Sequence, residues 1–280
     1  MNQASAMRAR RIEALMERAA ARWNTQRLPL IRDFLQHYYE AVPTPDLNDR
    51  DIPNLYGAAL SHWSLGERRR RGRPGLQVYN PDPEQNGWES THTVIQLVTD
   101  DQPFLVDSLS MALNELGLMI HLIVHPVLEV ARRADGHVRA VSSDPDGEGH
   151  AEAWIHIEVD RQSETEQLRA IERAIRAALA DVGAAVGDWE AMHREAEKAI
   201  RGLRRHGPTM ADDYLDEVIA FLNWLLDDHF TFLGYRRYNL ARRGKALELR
   251  AVAGTGLGLL REGDTGGRPS SSFEALPDGL

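Results

Sequence analysis

Cysteine is absent from this 280-residue chain, which removes disulfides, thiolate nucleophiles and zinc ribbons and fits a reducing compartment. Long apolar runs are missing too. No stretch could span a bilayer, and the arginine-bearing N-terminus lacks the apolar core and cleavage site of a secretory leader, so a cytoplasmic location without a membrane partner is expected. Positive charge is the scarcer sign, with 33 Lys and Arg against 42 Asp and Glu and a formal net charge of -9. A nucleic-acid surface needs concentrated Lys and Arg, so that partner is disfavoured. One basic run exists, Arg68-Arg69-Arg70-Arg71-Gly72-Arg73, with few aromatic neighbours; it reads as a solvated helix end or loop rather than a phosphate clamp.

The hydrophobic content of 42% and charged content of 27% suit about two domains with real cores. Ile12, Leu15, Met16, Ala19 and Trp23, then Leu30, Ile31, Phe34, Leu35 and Tyr38, recur at three- and four-residue spacing. They predict two amphipathic helices parted near Leu28-Pro29, the second ended by Val42-Pro43-Thr44-Pro45. A short helix is expected over 52–66, with Leu55, Leu60 and Trp63 inward, and a short strand over 76–79 within a Gly/Pro-rich stretch.

The best-defined unit follows. It reads as strand 93–99, helix 103–116 ended by Gly117, strand 118–131 turning at Asp135-Gly136, a loose loop 142–150, and strand 153–160. Ser163-Glu164-Thr165-Glu166 has capping-box spacing and opens a helix to about residue 181, with a fourth strand expected over 183–186. The order β-α-β-β-α-β is ferredoxin-like, an α+β class with a four-stranded antiparallel sheet covered on one face by two helices. Alternation puts Ile155, Ile157 and Val159 on one face and Trp154, His156 and Glu158 on the other. The neighbouring strand divides Ile120, Leu122, Val124 and Leu128 from His121, Ile123, His125 and Glu129. A face carrying Trp154 beside three histidines is expected to meet another domain or subunit, which makes His121, His125, Trp154 and His156 candidate interface residues.

Beyond this, Trp189, Met192, Ala196, Ile200 and Leu203 form one stripe of a helix ended by Gly207-Pro208. Thr209 is the expected cap of a further helix whose apolar residues (Tyr214, Leu215, Val218, Ile219, Phe221, Leu222, Trp224) occupy most sides, so it should be deeply buried. Residues 230–240 and 246–253 read as a hairpin, and 262–280 lack a core pattern. A hairpin without partners is marginal alone, so the chain is expected to stop inside a second domain. The organisation is then an N-terminal helical region over 1–88, a ferredoxin-fold domain over 89–187, a helical linker over 188–229, and a partial second domain over 230–280.

The turn after the first strand of that domain carries Asp100-Asp101-Gln102-Pro103-Phe104, with Asp107 one turn on. A dinucleotide fold would place glycines here so that backbone amides approach a pyrophosphate; adjacent carboxylates repel phosphate and Phe104 blocks the approach. The carboxylates read as a helix cap aligned with the dipole rather than a hard-cation site. His121, His125 and His156 share a face, but packing is favoured over a zinc site. Gly254-Thr255-Gly256-Leu257-Gly258 lacks the glycine spacing of a phosphate loop, and His193 with Glu197, one helical turn apart, reads as a surface contact. No catalytic, cofactor-binding or metal-binding residue is assigned, and the segment alone is expected to be inactive.

Several long stretches nevertheless carry a likeness. Residues 55–63 (LYGAALSHW), Asn80-Pro81, Gly87-Trp88, 101–108 (DQPFLVDS), His125-Pro126-Val127 and 228–235 (DHFTFLGY) together resemble the N-terminal region of the large bacterial NAD-specific glutamate dehydrogenases, from about Phe34 onward. The resemblance implies ACT-like modules that sense amino acids and pair with one another, in a longer enzyme that deaminates L-glutamate to 2-oxoglutarate and reduces NAD. NAD and the catalytic lysine would then belong to a downstream domain, and none would be bound by this segment. The implied partners are the rest of the polypeptide, further copies in a homo-oligomer, and an amino-acid effector. Such modules commonly bind effectors at the first strand–helix turn, which makes Asp100, Asp101, Gln102, Pro103, Phe104 and Asp107 the candidate effector residues. Phe104 stands where a glycine is usual, so a scaffold that mediates assembly is the first reading and effector sensing the second. An RNA-binding sheet ranks last, because residues 93–99 present no aromatic to stack a base.

Overall fold

The apolar spacing of the first third closes into helices in the computed structural model, which describes residues 3–40, 42–142, 149–206, 212–243 and 246–261. Helix α1 (Gln3–Arg22) and α2 (Leu28–Glu40) are parted as the sequence predicts, with Pro29 in the first turn of α2, where its missing N–H costs nothing. After α3 (Thr44–Asn48), Asp51 caps α4 (Ile52–Gly66) by accepting from the Asn54 N–H at 2.9 Å.

The chain divides into two units, residues 1–178 and 179–280, with the division inside one long helix. In the first unit the strands are β1 (Gly75–Tyr79), β2 (Thr93–Asp100), β3 (Ile120–Val124), β4 (Val127–Arg132), β5 (Val138–Ser142) and β6 (His150–Val159). The helices α5 (Pro83–Asn86), α6 (Leu105–Glu115) and α7 (Thr165–Gly187) lie between and after them. All six strands form one antiparallel sheet in the order β1-β2-β6-β4-β5, with β3 also pairing β6. The expected single strand over 118–131 is broken at His125-Pro126, because proline has no N–H for the ladder; its carbonyl instead accepts from the Trp154 N–H at 3.0 Å.

Two expectations are corrected here. Residues 183–186 are not a fourth strand: the Ala-rich run keeps α7 helical to Gly187, with Val182 and Ala185 buried at helical spacing. The place beside β2 is taken by β1, which comes from the expected N-terminal helical region and pairs Val78 with Ile95 and Leu76 with Leu97. The capping box is also shifted by one residue, since Gln167, not Glu166, reaches back to the Glu164 N–H at 3.2 Å. The helix stop at Gly117 is as read: Gly117 takes φ of 73°, and the Leu118 N–H returns to the Leu113 carbonyl.

The sheet is covered on both faces rather than one. Ile95, Leu97, Ile155, Ile157 and Val159 are buried on the face that suits α6 and α7, whose Leu109, Leu113, Ile171 and Ile175 are buried as well. On the opposite face Val98, Val124, Leu128 and Trp154 form one core with Leu15, Phe34, Tyr38 and Trp63 of the N-terminal helices. Helix α4 lies close to this sheet because it carries glycines at the contacts. A Cβ on Gly66 would sit 2.2 Å from Trp154 Cη2, and one on Gly57 would sit 2.3 Å from Trp88 Cβ.

The second unit contains α8 (Trp189–His206), α9 (Asp212–Trp224) continued by a π-helical turn (Leu225–His229), and the strands β7 (Gly234–Tyr235), β8 (Tyr238–Arg243), β9 (Ala246–Ala251) and β10 (Leu257–Gly258). β8 and β9 make a hairpin, but its first strand begins at Tyr238 rather than at 230, and β7 within the expected strand pairs with β10 instead. The expected burial of α9 is not met: Ile219 is buried and Leu215, Val218 and Leu222 are half-buried, but Tyr214, Phe221 and Trp224 are exposed among the described residues. The Thr209 cap lies outside the described residues. Among those described, no helix is long and apolar enough to cross a membrane.

Candidate functional site

The strand–helix turn is built by backbone geometry more than by side chains. The Asp101 N–H donates to the Ala151 carbonyl at 3.0 Å, which holds the end of β2 against β6. Phe104 then adopts φ 68° and ψ 5°, and it is the non-glycine residue with positive φ among those described. It precedes α6 without a side-chain cap, and the strain of a left-handed phenylalanine is about 1–2 kcal/mol. The residue is 47% exposed, and Asp101, Pro103 and Asp107 are exposed too; Gln102 is half-buried.

Asp100 is turned away from the helix, so it does not cap the dipole as the sequence suggests. Its carboxylate accepts from Arg69 Nη2 at 2.6 Å and from the Gly72 N–H at 2.9 Å. Burial pushes this carboxyl up, but those two hydrogen bonds outweigh it and leave it below the usual range. The same Arg69 donates to Glu152 at 2.7 Å, and Arg132 binds Glu152 through Nε and Nη2, both at 2.7 Å. A buried ionic cluster therefore fastens the basic run to the sheet. Nothing in the local sequence pairs these positions.

His125 lies near the turn. Its Nε2 is buried without a partner, and burial lowers its pKa against the opposing pull of Asp101. The other candidate interface residues point elsewhere. Trp154 is fully buried, with ring centroids 5.0 Å from Phe34, 5.2 Å from His62 and 6.3 Å from Trp63. His156 is buried between Gln96 and Glu158, at 3.1 Å from each. His121, partly exposed, bonds Asp160 at 2.8 Å and lies 4.3 Å from the His92 ring. The three histidines do not converge, and no three metal-ligating side chains gather among the described residues.

Under the helices His156 joins a polar network that alternation alone does not reveal. Gln96 Oε1 accepts from Gln77 and Tyr79, so its amide donates to the Ala58 carbonyl and to His156 Nδ1. His156 is thereby the Nε2–H tautomer and donates to Glu158 Oε1. Arg50 closes the chain with two bonds to Glu158, at 2.6 and 2.8 Å. Burial opposes charge on Glu158, yet the His156 and Arg50 hydrogen bonds hold its carboxyl at about 2. Nearby, His62 donates Nε2–H to the Leu97 carbonyl at 3.1 Å and accepts from the Tyr38 hydroxyl at 2.9 Å. Full burial pushes His62 down to about 3, so its ring is neutral. Trp154, His156 and Glu158 sharing a face was the available signal; Arg50 and His62 gave none.

In the second unit the glycine-rich stretch is a strand pairing. The Gly258 N–H donates to Asp188 Oδ2 at 2.8 Å, and Arg261 binds the same carboxylate. A Cβ on Gly256 would lie 2.0 Å from the Leu260 carbonyl oxygen, so the loop closes on itself. His193 and Glu197 do not pair: the His193 ring lies 4.1 Å from Trp189 and 5.1 Å from Phe232, while Glu197 meets Arg201.

The antiparallel sheet with β2-α6-β3 leading into β4, β6 and α7 defines the first unit as an ACT-type α+β module. Residues 34–175 match the family model described as glutamate dehydrogenase, ACT1 domain. The chain is 38% identical over 254 residues to an NAD-specific glutamate dehydrogenase of Halomonas elongata, covering 89% of this chain and 16% of that protein. Likenesses of 38% over 218 residues in Pseudomonas aeruginosa and 30% over 224 residues in Mycobacterium tuberculosis carry the same name, covering 76% and 78% of this chain and 13% of each relative. The chain belongs to the NAD-specific glutamate dehydrogenase family and spans a small part of the length of these relatives.

Proposed function

We propose that this chain is the N-terminal regulatory and assembly segment of an NAD-dependent glutamate dehydrogenase, which converts L-glutamate and NAD to 2-oxoglutarate, ammonia and NADH, and that it is not itself catalytic. The observation that carries the reading is the uneven cover of the ACT-type unit. Its sheet is sealed on both faces within the chain, whereas Phe104 before α6, Met111 on it and Met119 after it stand 47%, 63% and 64% exposed. Exposed apolar side chains of this size suit contact with another subunit or with the rest of a long polypeptide. The exposed Phe221 and Trp224 of α9 support the same reading for the second unit.

NAD would be held elsewhere in the polypeptide. Among the described residues, neither strand–loop junction suits a dinucleotide: the turn at 100–104 presents carboxylates, and the Gly258 N–H is occupied by Asp188. The test is the full-length enzyme with Met111→Glu and Met119→Glu, compared with the parent by light scattering and by glutamate-dependent NADH formation. A smaller assembly with changed kinetics is the expected result; unchanged mass and kinetics refute the reading.

A second reading places an amino-acid effector at Asp101–Phe104. Its support is the left-handed Phe104 in a turn whose Asp101 acts electrostatically on His125, a residue with a buried, unpartnered Nε2. Calorimetric titration with the common amino acids, repeated on Asp101→Asn, checks it. Saturable binding lost in the variant is expected, and no heat with any amino acid rejects this reading while leaving the assembly role standing.

A further inference from the structure

The basic run at 68–73 and the β4–β5 hairpin enclose a cavity of about 410 Å³ lined by Arg69, Arg70, Arg71, Arg132, Arg133 and Arg139. Six arginines around one concavity is an unusual concentration on a chain of net charge -9. Two carboxylates also line it, Asp100 and Glu152, and both are spent on the inner arginines. Arg69 binds both acids and Arg132 binds Glu152, so those four charges cancel. Arg70, Arg71 and Arg133 are exposed and lie at the same cavity, and no ion pair engages them among the described residues. Three of the four arginines beyond those the acids engage, Arg70, Arg71 and Arg133, are therefore able to turn towards a ligand.

A second observation points the same way. Arg69 is 6% exposed, yet its Nε–H is buried without a hydrogen-bond partner, although its Nη groups are fully employed. A buried guanidinium donor left unsatisfied is costly unless something accepts from it. The walls are also held rigidly. The Arg69 N–H donates to the Gly136 carbonyl at 3.1 Å, the Val138 N–H to the Glu67 carbonyl at 3.0 Å, and Gly136 approaches so closely that a Cβ there would meet the Arg69 carbonyl at 2.7 Å. A preformed concavity within the size range of small-ligand sites, with planar forks of donors on two sides, matches the geometry of oxyanions.

We propose that this cavity is a binding site for a small polyanion bearing two or more phosphate or carboxylate groups, separate from the effector turn and not dependent on it. Confinement of the arginines to one half-open concavity favours a small molecule over a nucleic acid, which would need an extended basic track. Asp100 joins the two places, since it lines the cavity and immediately precedes the Asp101–Phe104 turn, so an anion competing for Arg69 would loosen that attachment.

The experiment is isothermal titration calorimetry of the whole chain with pyrophosphate and, separately, with malonate at low ionic strength. The variants are Arg70→Ala/Arg71→Ala, Arg133→Ala, and a control Arg169→Ala/Arg173→Ala on the exposed face of α7. Saturable binding of one or both probes is expected, and which probe binds identifies the oxyanion. Binding should weaken about tenfold or more in each cavity variant, fall with added salt, and be unchanged in the control. The cavity variants alter exposed side chains and leave the Arg69–Glu152–Arg132 cluster whole, and circular dichroism checks that they fold. No saturable heat with either probe, equal affinity in the cavity variants, or binding seen only with a single-stranded oligonucleotide overturns the proposal.

Discussion

Acid should destabilise the ACT-type unit well before its carboxylates protonate, and His62 is the reason. This imidazole is fully buried between Tyr38 and the Leu97 carbonyl, which pushes it from about 6.5 down to about 3. The unfolded chain takes up the proton as pH falls through 6.5, whereas the folded chain refuses it until about 3. The unfolded state therefore binds more protons throughout that window, and stability drops as pH drops. Between pH 7.5 and pH 5 the loss from this one group is about 2 kcal/mol, from the 1.36 kcal/mol per unit of linkage. Glu158 hardly contributes there, because its carboxyl is ionised in both states until pH falls below about 4.5; its own loss lies between that value and about 2. The assay is urea unfolding monitored by tryptophan fluorescence at the two pH values, on the parent and on His62→Gln. The difference between pH values should shrink by about 2 kcal/mol in the variant, even though the variant is less stable at both. An identical pH difference in parent and variant would refute the reasoning, since it would mean that His62 titrates normally in the folded state.

Three further perturbations test the packing. Gly66→Ala drives a methyl into the Trp154 ring at 2.2 Å, and overpacking between a helix backbone and a buried indole should cost about 1–3 kcal/mol, read as a lower melting temperature. Arg50→Ala removes both arginine bonds from a fully buried Glu158; with His156 and the partly exposed His92 still in contact, the loss by denaturant titration should be about 3 kcal/mol. Phe104→Gly releases the left-handed strain at φ 68°, so it should stabilise the chain by about 1 kcal/mol; a clear loss of stability would show that the exposed ring makes an essential contact.

The periodic elements were legible because their physics is local. Three- and four-residue spacing placed α1, α2 and α4, and alternation assigned the two faces of β6, including the grouping of Trp154, His156 and Glu158. Gly117 was readable as a helix stop because a positive φ costs glycine nothing. The quoted stretches from residue 55 to residue 235 carried the family resemblance. Against this, residues 183–186 misled: a short β-branched and glycine-containing segment has no periodicity of its own, and the end of a long alanine-rich helix decided its state.

What no local pattern could supply is partnership across the chain. The place beside β2 could be filled from either side, and only the assembled sheet shows β1 there instead of a strand after α7. The mixed face of β6 asked for a cover, but its identity as α1–α4 depends on contacts between positions about a hundred residues apart, such as Arg50 with Glu158 and Phe34 with Trp154. The same holds for the arginine run, which reads as solvated charge until Asp100, Glu152 and the β4–β5 hairpin gather around it. Apolar periodicity states which side of an element must leave water. Burial and charge compensation are many-body outcomes, so which surface receives that side, and which charges end enclosed together, is decided only when the sheet closes.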